Sequence, residues 1–457
     1  MIRPEDNHEV GYELVVKMRP EVAPPNTSNL ELIHSKAIPA ILVEAMPNGS
    51  ISKMFPGSTL DATPPLGLRD EAAKARDDST LELSRFYGIK GDSADLQLAA
   101  ERLRASGLCE SVILRPLPTP PSLVFPSATT PDFTGSQGYL RGSSLGGIDA
   151  EFAWSKGISG QGIRVTDVEG DWNLSHEDLP TISRIGSGSF GDHNGWWNHG
   201  TAVLGVMGSQ NNGRGTLGIA PRAVYSTSSI FDAASNGAAI LAAANRLGPG
   251  DIIVLEVQID YRAPEWWEDY FLPIQLATRN GILVVEAAGN GNTDLDDTRF
   301  DTGGGSSGWI NPYRRDPSYD SGSIVVGAGA PPSGNFGADR SRLDFSNYGS
   351  MVDAQGWGRE VFTLGYGDAH GGTDDTLYTS EFSGTSSATP IVAGALVLVQ
   401  SFLKSRGVQP MNYTEARNLL RSTGKAQVGD TSERIGTRPD LRQMIAQAAL
   451  WRGIPSP

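Results

Sequence analysis

The chain has 457 residues, 39% hydrophobic and 19% charged, enough apolar material for two or more packed domains and too much for a disordered chain. Its 37 Lys and Arg against 52 Asp and Glu leave a net charge of −15, which argues against binding bare nucleic acid through a basic surface. Cys109 is the single cysteine, so no intrachain disulfide can form, and 55 glycines suit a loop-rich α/β enzyme better than a helical bundle.

In chain order, residues 1–118 form a first unit. Met1-Ile2-Arg3-Pro4-Glu5-Asp6 has no apolar stretch behind it, so no conventional signal peptide is expected. Tyr12 to Met18 reads as a strand, Ile38 to Met46 as an apolar patch, and Pro56 to Pro65 as loop. Ala94 to Leu103 has apolar residues at helical spacing, and Ser111 to Arg115 follows as a strand. Residues 119–139 form a Pro/Ser/Thr-rich linker, the region where processing is expected. From 140 to 457 strands alternate with helices. Ile163–Asp167, Ala223–Ser228, Ile252–Leu255, Ile282–Val285 and Ile324–Gly327 read as strands, and 233–246 and 266–280 as helices. Near-continuous apolar runs such as Ile252–Leu255 are expected of strands buried on both faces. The expected fold is α/β: a doubly wound, mainly parallel sheet with helices on both faces, preceded by a small α+β domain. No stretch is expected to span a membrane.

Chemistry gathers at four places. A tight Gly384-Thr385 turn leads through Ser386 into the apolar run Ile391 to Val399, which puts Ser386 at a helix N-terminus, a good seat for a nucleophile whose product is an oxyanion. Pro390 is expected in the first turn of that helix. Asp167 ends the first strand of the larger domain, at the sheet edge where active residues collect. His199, followed by Gly200-Thr201 and an apolar run, is favoured over the nearby His193. Asn290, after Ala288-Gly289, can donate into the same cleft. A hydroxyl nucleophile needs a base, the base needs a carboxylate, and the oxyanion needs a donor.

These motifs resemble those of the subtilase family of serine proteases: His199-Gly200-Thr201, Ala288-Gly289-Asn290 and Gly384-Thr385-Ser386-Ser387-Ala388-Thr389-Pro390, with Phe345-Ser346-Asn347-Tyr348-Gly349 as a further landmark. The resemblance covers about residues 136–425. It implies a subtilisin-like fold and a serine endopeptidase acting on protein or peptide substrates through an acyl-enzyme. It assigns Ser386 as nucleophile, His199 as base, Asp167 as orienting carboxylate, and Asn290 with the Ser386 N–H as oxyanion hole.

Three departures stand out. Val168-Glu169 follows Asp167 where the family has a hydroxyl residue and Gly, Ala202 replaces a second His, and Glu256-Val257-Gln258 replaces a small Ser-Leu-Gly edge. That edge leads us to expect a narrower or basic-residue preference. The resemblance also implies a structural Ca²⁺ held by Asp178 and Asn212; no other cofactor is expected. Residues 1–118 resemble a propeptide, so the chain's own N-terminal domain is an expected inhibitory partner of a zymogen. The family is mostly secreted, which the N-terminus does not settle. The alternatives are a non-cleaving subtilase-fold peptide-binding or regulatory module, and another hydrolase such as an esterase, disfavoured because the order Asp, His, Ser is not that of α/β-hydrolases.

Overall fold

The computed structural model describes residues 12–20, 39–47, 49–55, 82–116, 130–186, 195–233, 235–306 and 308–457. The 56–65 loop and His193 lie outside these residues.

The N-terminal unit is a four-stranded antiparallel sheet built from β1 (Tyr12–Met18), β2 (Ser50–Lys53), β3 (Phe86–Lys90) and β4 (Cys109–Pro116), in the order β2-β3-β1-β4. Two helices cover one face, α1 (Ala40–Ala45) and α2 (Ser93–Ser106). Within the apolar patch expected at 38–46, Ala40–Ala45 is therefore a short helix. Strand alternation sorts β1: Leu14, Val16 and Met18 join the helix-covered core, while Glu13, Val15 and Lys17 face the larger domain.

Within the larger domain, α3 (Ala150–Ser155) precedes a seven-stranded parallel sheet. Its strands are β5 (Arg164–Glu169), β6 (Ser183–Ile185), β7 (Val224–Ser229), β8 (Ile252–Leu255), β9 (Leu283–Ala287), β10 (Ile324–Gly329) and β11 (Val352–Trp357), in the order β11-β10-β9-β8-β5-β7-β6. A hairpin, β12 (Val361–Leu364) and β13 (Tyr378–Phe382), stands apart from it. Helices α4 (Trp196–Gly208) and α7 (Thr385–Ser405) pack on one face, and α5 (Asn236–Ala244) and α6 (Glu268–Arg279) on the other; α8 (Tyr413–Thr423) and α9 (Leu441–Arg452) follow near the C-terminus. The cores divide accordingly: Val165, Ile252, Val254, Leu283 and Val285 face α4 and α7, whereas Val168, Ile253, Leu255 and Val284 face α5 and α6. This is the expected doubly wound sheet.

Several expectations need correction. β5 runs two residues past Asp167 to Glu169, because its ladder with β7 continues to the Glu169–Ser229 pair. Pro390 is the sixth residue of α7, in its second turn, so Ser386 loses one helical hydrogen-bond partner; tight packing on β10 and β11 holds the helix there. α7 has the length and hydropathy of a membrane span, but 94% of its apolar window is buried inside the fold, as befits a core helix. Residues 130–139, expected to belong to the linker, are docked on the larger domain. Phe133 N–H donates to the Gly215 carbonyl at 2.7 Å, Gly215 N–H to that of Pro131 at 2.7 Å, and the Tyr139 ring is fully buried.

Candidate active site

The carboxyl ends of β5, β8 and β9 meet the starts of α4 and α7, and the four expected chemical residues converge there. Gly384, just before α7, has φ of 100°, a left-handed conformation that favours glycine, and a Cβ would lie 3.4 Å from both side-chain atoms of Asn290. Its neighbours Thr385 N–H and Oγ1 both donate to Asn290 Oδ1, at 2.8 and 3.1 Å. The oxygen of the amide is thereby pinned to the α7 N-terminus, which leaves Nδ2 as its donor. The Asn290 N–H in turn donates to Gln258 Oε1 at 3.0 Å.

His199 lies one turn into α4. Gly200 lets that helix pass close to the segment after β5, since a Cβ would come 2.4 Å from the Asp171 carbonyl and the Trp172 ring. Thr201 Oγ1 accepts from Asn173 N–H at 2.8 Å and donates to the Trp197 carbonyl at 2.6 Å. The imidazole stands edge-on between Trp196 and Phe382, 5.5 and 5.7 Å between ring centroids.

The carboxylate at His199 is not the expected one. Glu169 Oε2 meets His199 Nδ1 at 2.6 Å, both groups being buried. Asp167 Oδ2 instead accepts from Trp172 Nε1–H at 2.7 Å. The physical reason is the strand period. Residues 167 and 169 point to the same face of β5, and Glu169 sits about 6.6 Å nearer its carboxyl end, where α4 begins. The two acids also bear on each other: Glu169 raises the Asp167 carboxyl, while Asp167 lowers that of Glu169. Trp172 holds Asp167 from behind, and Asp167 Oδ1 and Glu169 Oε1 are buried without a hydrogen-bond partner among the described residues.

Burial dominates the electrostatics. It pushes the Asp167 carboxyl well up, with Glu169 adding to the effect, and pushes Glu169 itself well up although Asp167 acts the other way. Burial also pushes the His199 imidazole down to about 4, with the Asp167 charge opposing it. A neutral imidazole is therefore available as a base.

The expected metal ligands do come together, but as a closed hydrogen-bond set. Asp178 Oδ1 accepts from Asn212 Nδ2 at 2.9 Å, and Oδ2 accepts from Thr216 N–H and Oγ1 at 2.7 and 3.2 Å. Asn212 Oδ1 accepts from Arg214 N–H at 3.1 Å. A carboxylate facing N–H and O–H donors does not fit a Ca²⁺ cage, which needs converging oxygens. Burial pushes Asp178 up to about 6 despite those bonds.

A serine at a helix start, a carboxylate-held histidine and an asparagine donor recur together on this parallel sheet, and residues 181–437 match the subtilase family model. The chain belongs to the subtilase family. The matched span contains His199, Asn290 and Ser386 and begins beyond Glu169. Subtilisin DY of Bacillus licheniformis is 27% identical over 290 residues, covering 62% of this chain and 91% of that protein. An alkaline protease of Alkalihalobacillus alcalophilus is also 27% identical over 290 residues, covering 64% of its length. Fervidolysin of Fervidobacterium pennivorans, a keratinolytic enzyme related to subtilisin, shares the fold: TM-score 0.55, 18% identity, over all of this chain and 63% of that one. This subtilase is a serine endopeptidase, which sets aside the non-cleaving and esterase alternatives.

Proposed function

We propose that this subtilase cleaves peptide bonds with a Glu169–His199–Ser386 triad, in which Glu169 takes the part that the family gives to aspartate. The observation that carries the reading is the buried 2.6 Å contact between Glu169 Oε2 and His199 Nδ1. Glu169 holds the Nδ1–H tautomer, leaving Nε2 to accept the Ser386 proton as Oγ attacks the scissile carbonyl. The oxyanion forms beside Asn290 Nδ2 and the Ser386 N–H at the positive end of α7. His199 then returns its proton to the leaving amine, and water releases the acyl-enzyme.

Residues 1–118 act as a propeptide docked on its own enzyme, a reading supported by their buried contacts to α6. Lys17 Nζ donates to Glu268 Oε1 at 2.8 Å, and Arg115 holds Asp269 through two bonds of 2.8 and 2.7 Å. The Gln258 side chain ties the end of β8 to the end of β9 beside Ser386, which favours a narrow pocket and short side chains there. Profiling with peptide libraries that shows large apolar side chains preferred would refute that point.

Intact-mass analysis of wild type and Ser386→Ala, each treated with a fluorophosphonate, tests the whole reading. It predicts a labelled wild type cut between about residues 116 and 140 and an unlabelled, full-length mutant. Labelling of both, or cutting of both in pure preparations, refutes it.

A further inference from the structure

One buried acid at the site has no place in that mechanism. Glu256 follows β8, and its residue is only 2% exposed. Neither carboxyl oxygen has a well-formed hydrogen bond, although both are fully buried. Register explains its surroundings. β8 runs parallel to β5 with Val254 beside Asp167 and Leu255 beside Val168, and the Glu256 N–H donates to the Val168 carbonyl at 3.2 Å. The next pair in that register is Glu256 with Glu169, on adjacent strands about 4.8 Å apart, and residues 252, 254 and 256 share the face that carries 167 and 169. The groups bearing on Glu256 are Glu169 and Asp167 from β5 and the Ser386 hydroxyl from α7.

We propose that Glu256 is a positioning residue that works as a neutral acid, donating its O–H to Ser386 Oγ, and that its ionisation shuts the site at alkaline pH. The proposal rests on the Ser386 nucleophile put forward above. A serine hydroxyl has one proton to give and two lone pairs to receive. A neutral Glu256 fills a lone pair and leaves the Ser386 proton for His199 Nε2. An ionised Glu256 can only accept, so it draws the Ser386 proton away from His199 and sets a negative charge beside the developing oxyanion. Two adjacent carboxylates in a dry cleft do not both ionise readily; burial, then Glu169 and Asp167, raise Glu256 well above the usual carboxylate range, and the Ser386 hydroxyl, which acts the other way, does not offset them.

The test is the rate of fluorophosphonate labelling of the full chain against pH, for wild type, Glu256→Gln and Glu256→Ser, with thermal melts to show that each is folded. For wild type the expected result is a loss of about tenfold per pH unit on the alkaline side, the slope of a single ionisation. In Glu256→Gln, whose amide always donates, that limb is lost; Glu256→Ser, which cannot ionise, loses it too and serves if the first variant does not fold. An alkaline limb unchanged in the folded variants overturns the proposal while leaving the nucleophile intact. A wild type that labels at no pH overturns instead the serine-protease reading beneath it.

Discussion

Replacing Arg115 by Ala perturbs the contact between the two domains at its most buried point. The guanidinium is fully buried at the end of β4. It donates from Nε to Glu13 Oε1 at 2.8 Å, pairs bidentately with Asp269, and lies over the Trp267 and Tyr270 rings at 5.7 and 5.0 Å. Burial opposes its charge, but Asp269 and Glu13 more than offset this and raise its pKa. For Asp269 burial prevails, and its carboxyl is raised despite Arg115. Removing the cation strands two acids in a dry interface, and breaking such a pair costs roughly 3–5 kcal/mol. At 1.4 kcal/mol per tenfold, opening of the interface becomes about 10²- to 10⁴-fold more frequent. The assay is amide hydrogen exchange of β1, β4 and α6, in a Ser386→Ala background that cannot process itself. Combining Arg115→Met with Glu13→Gln and Asp269→Asn should recover most of the protection, because no charge is then left buried. Exchange in Arg115→Ala within about threefold of its parent, against the 10² expected, would refute the reasoning.

Three further outcomes are expected. Burial lowers His199 to about 4, and the base must be neutral, so activity should persist as pH falls and be lost only near 4–5; an acid limb near the unperturbed ~6.5 would contradict this. Asn290→Ala removes an oxyanion donor and should lower kcat by about 10²–10³ with little change in KM, measured on a peptide substrate; a fall below about tenfold would count against its role. Because Asp178 is satisfied by Asn212 and Thr216, the Tm should not respond to Ca²⁺ or chelator, and a shift above about 4 °C would show a cation that the hydrogen bonds do not.

Much of this was legible in the sequence, for physical reasons. β8 is apolar throughout, and β9 is apolar but for Glu286, because both faces are covered, and Ser386, His199 and Asn290 are each flanked by small residues where backbone passes close. The carboxylate was not. Asp167 and Glu169 lie on one face of one strand, and only the ladder with β7 shows that the strand runs on to Glu169, where the longer side chain reaches the imidazole. The i, i+2 spacing of two acids at a strand end was the available signal. Pro390 misled for a similar reason: local rules set it in the first turn, whereas packing tolerates it in the second. Neither could a linker composition reveal that residues 130–139 pair with Gly215.

The most direct test compares kcat/KM for Glu169→Gln and Asp167→Asn. In Glu169→Gln an amide replaces the carboxylate that holds the His199 tautomer, and a loss of about 10⁴ is expected, as for the equivalent change in a trypsin-type triad. In Asp167→Asn the amide oxygen still accepts from Trp172 Nε1–H and the Glu169–His199 contact is left in place, so activity should stay within about tenfold of wild type. The reverse order, with Asp167→Asn crippled and Glu169→Gln active, would contradict the Glu169–His199–Ser386 triad.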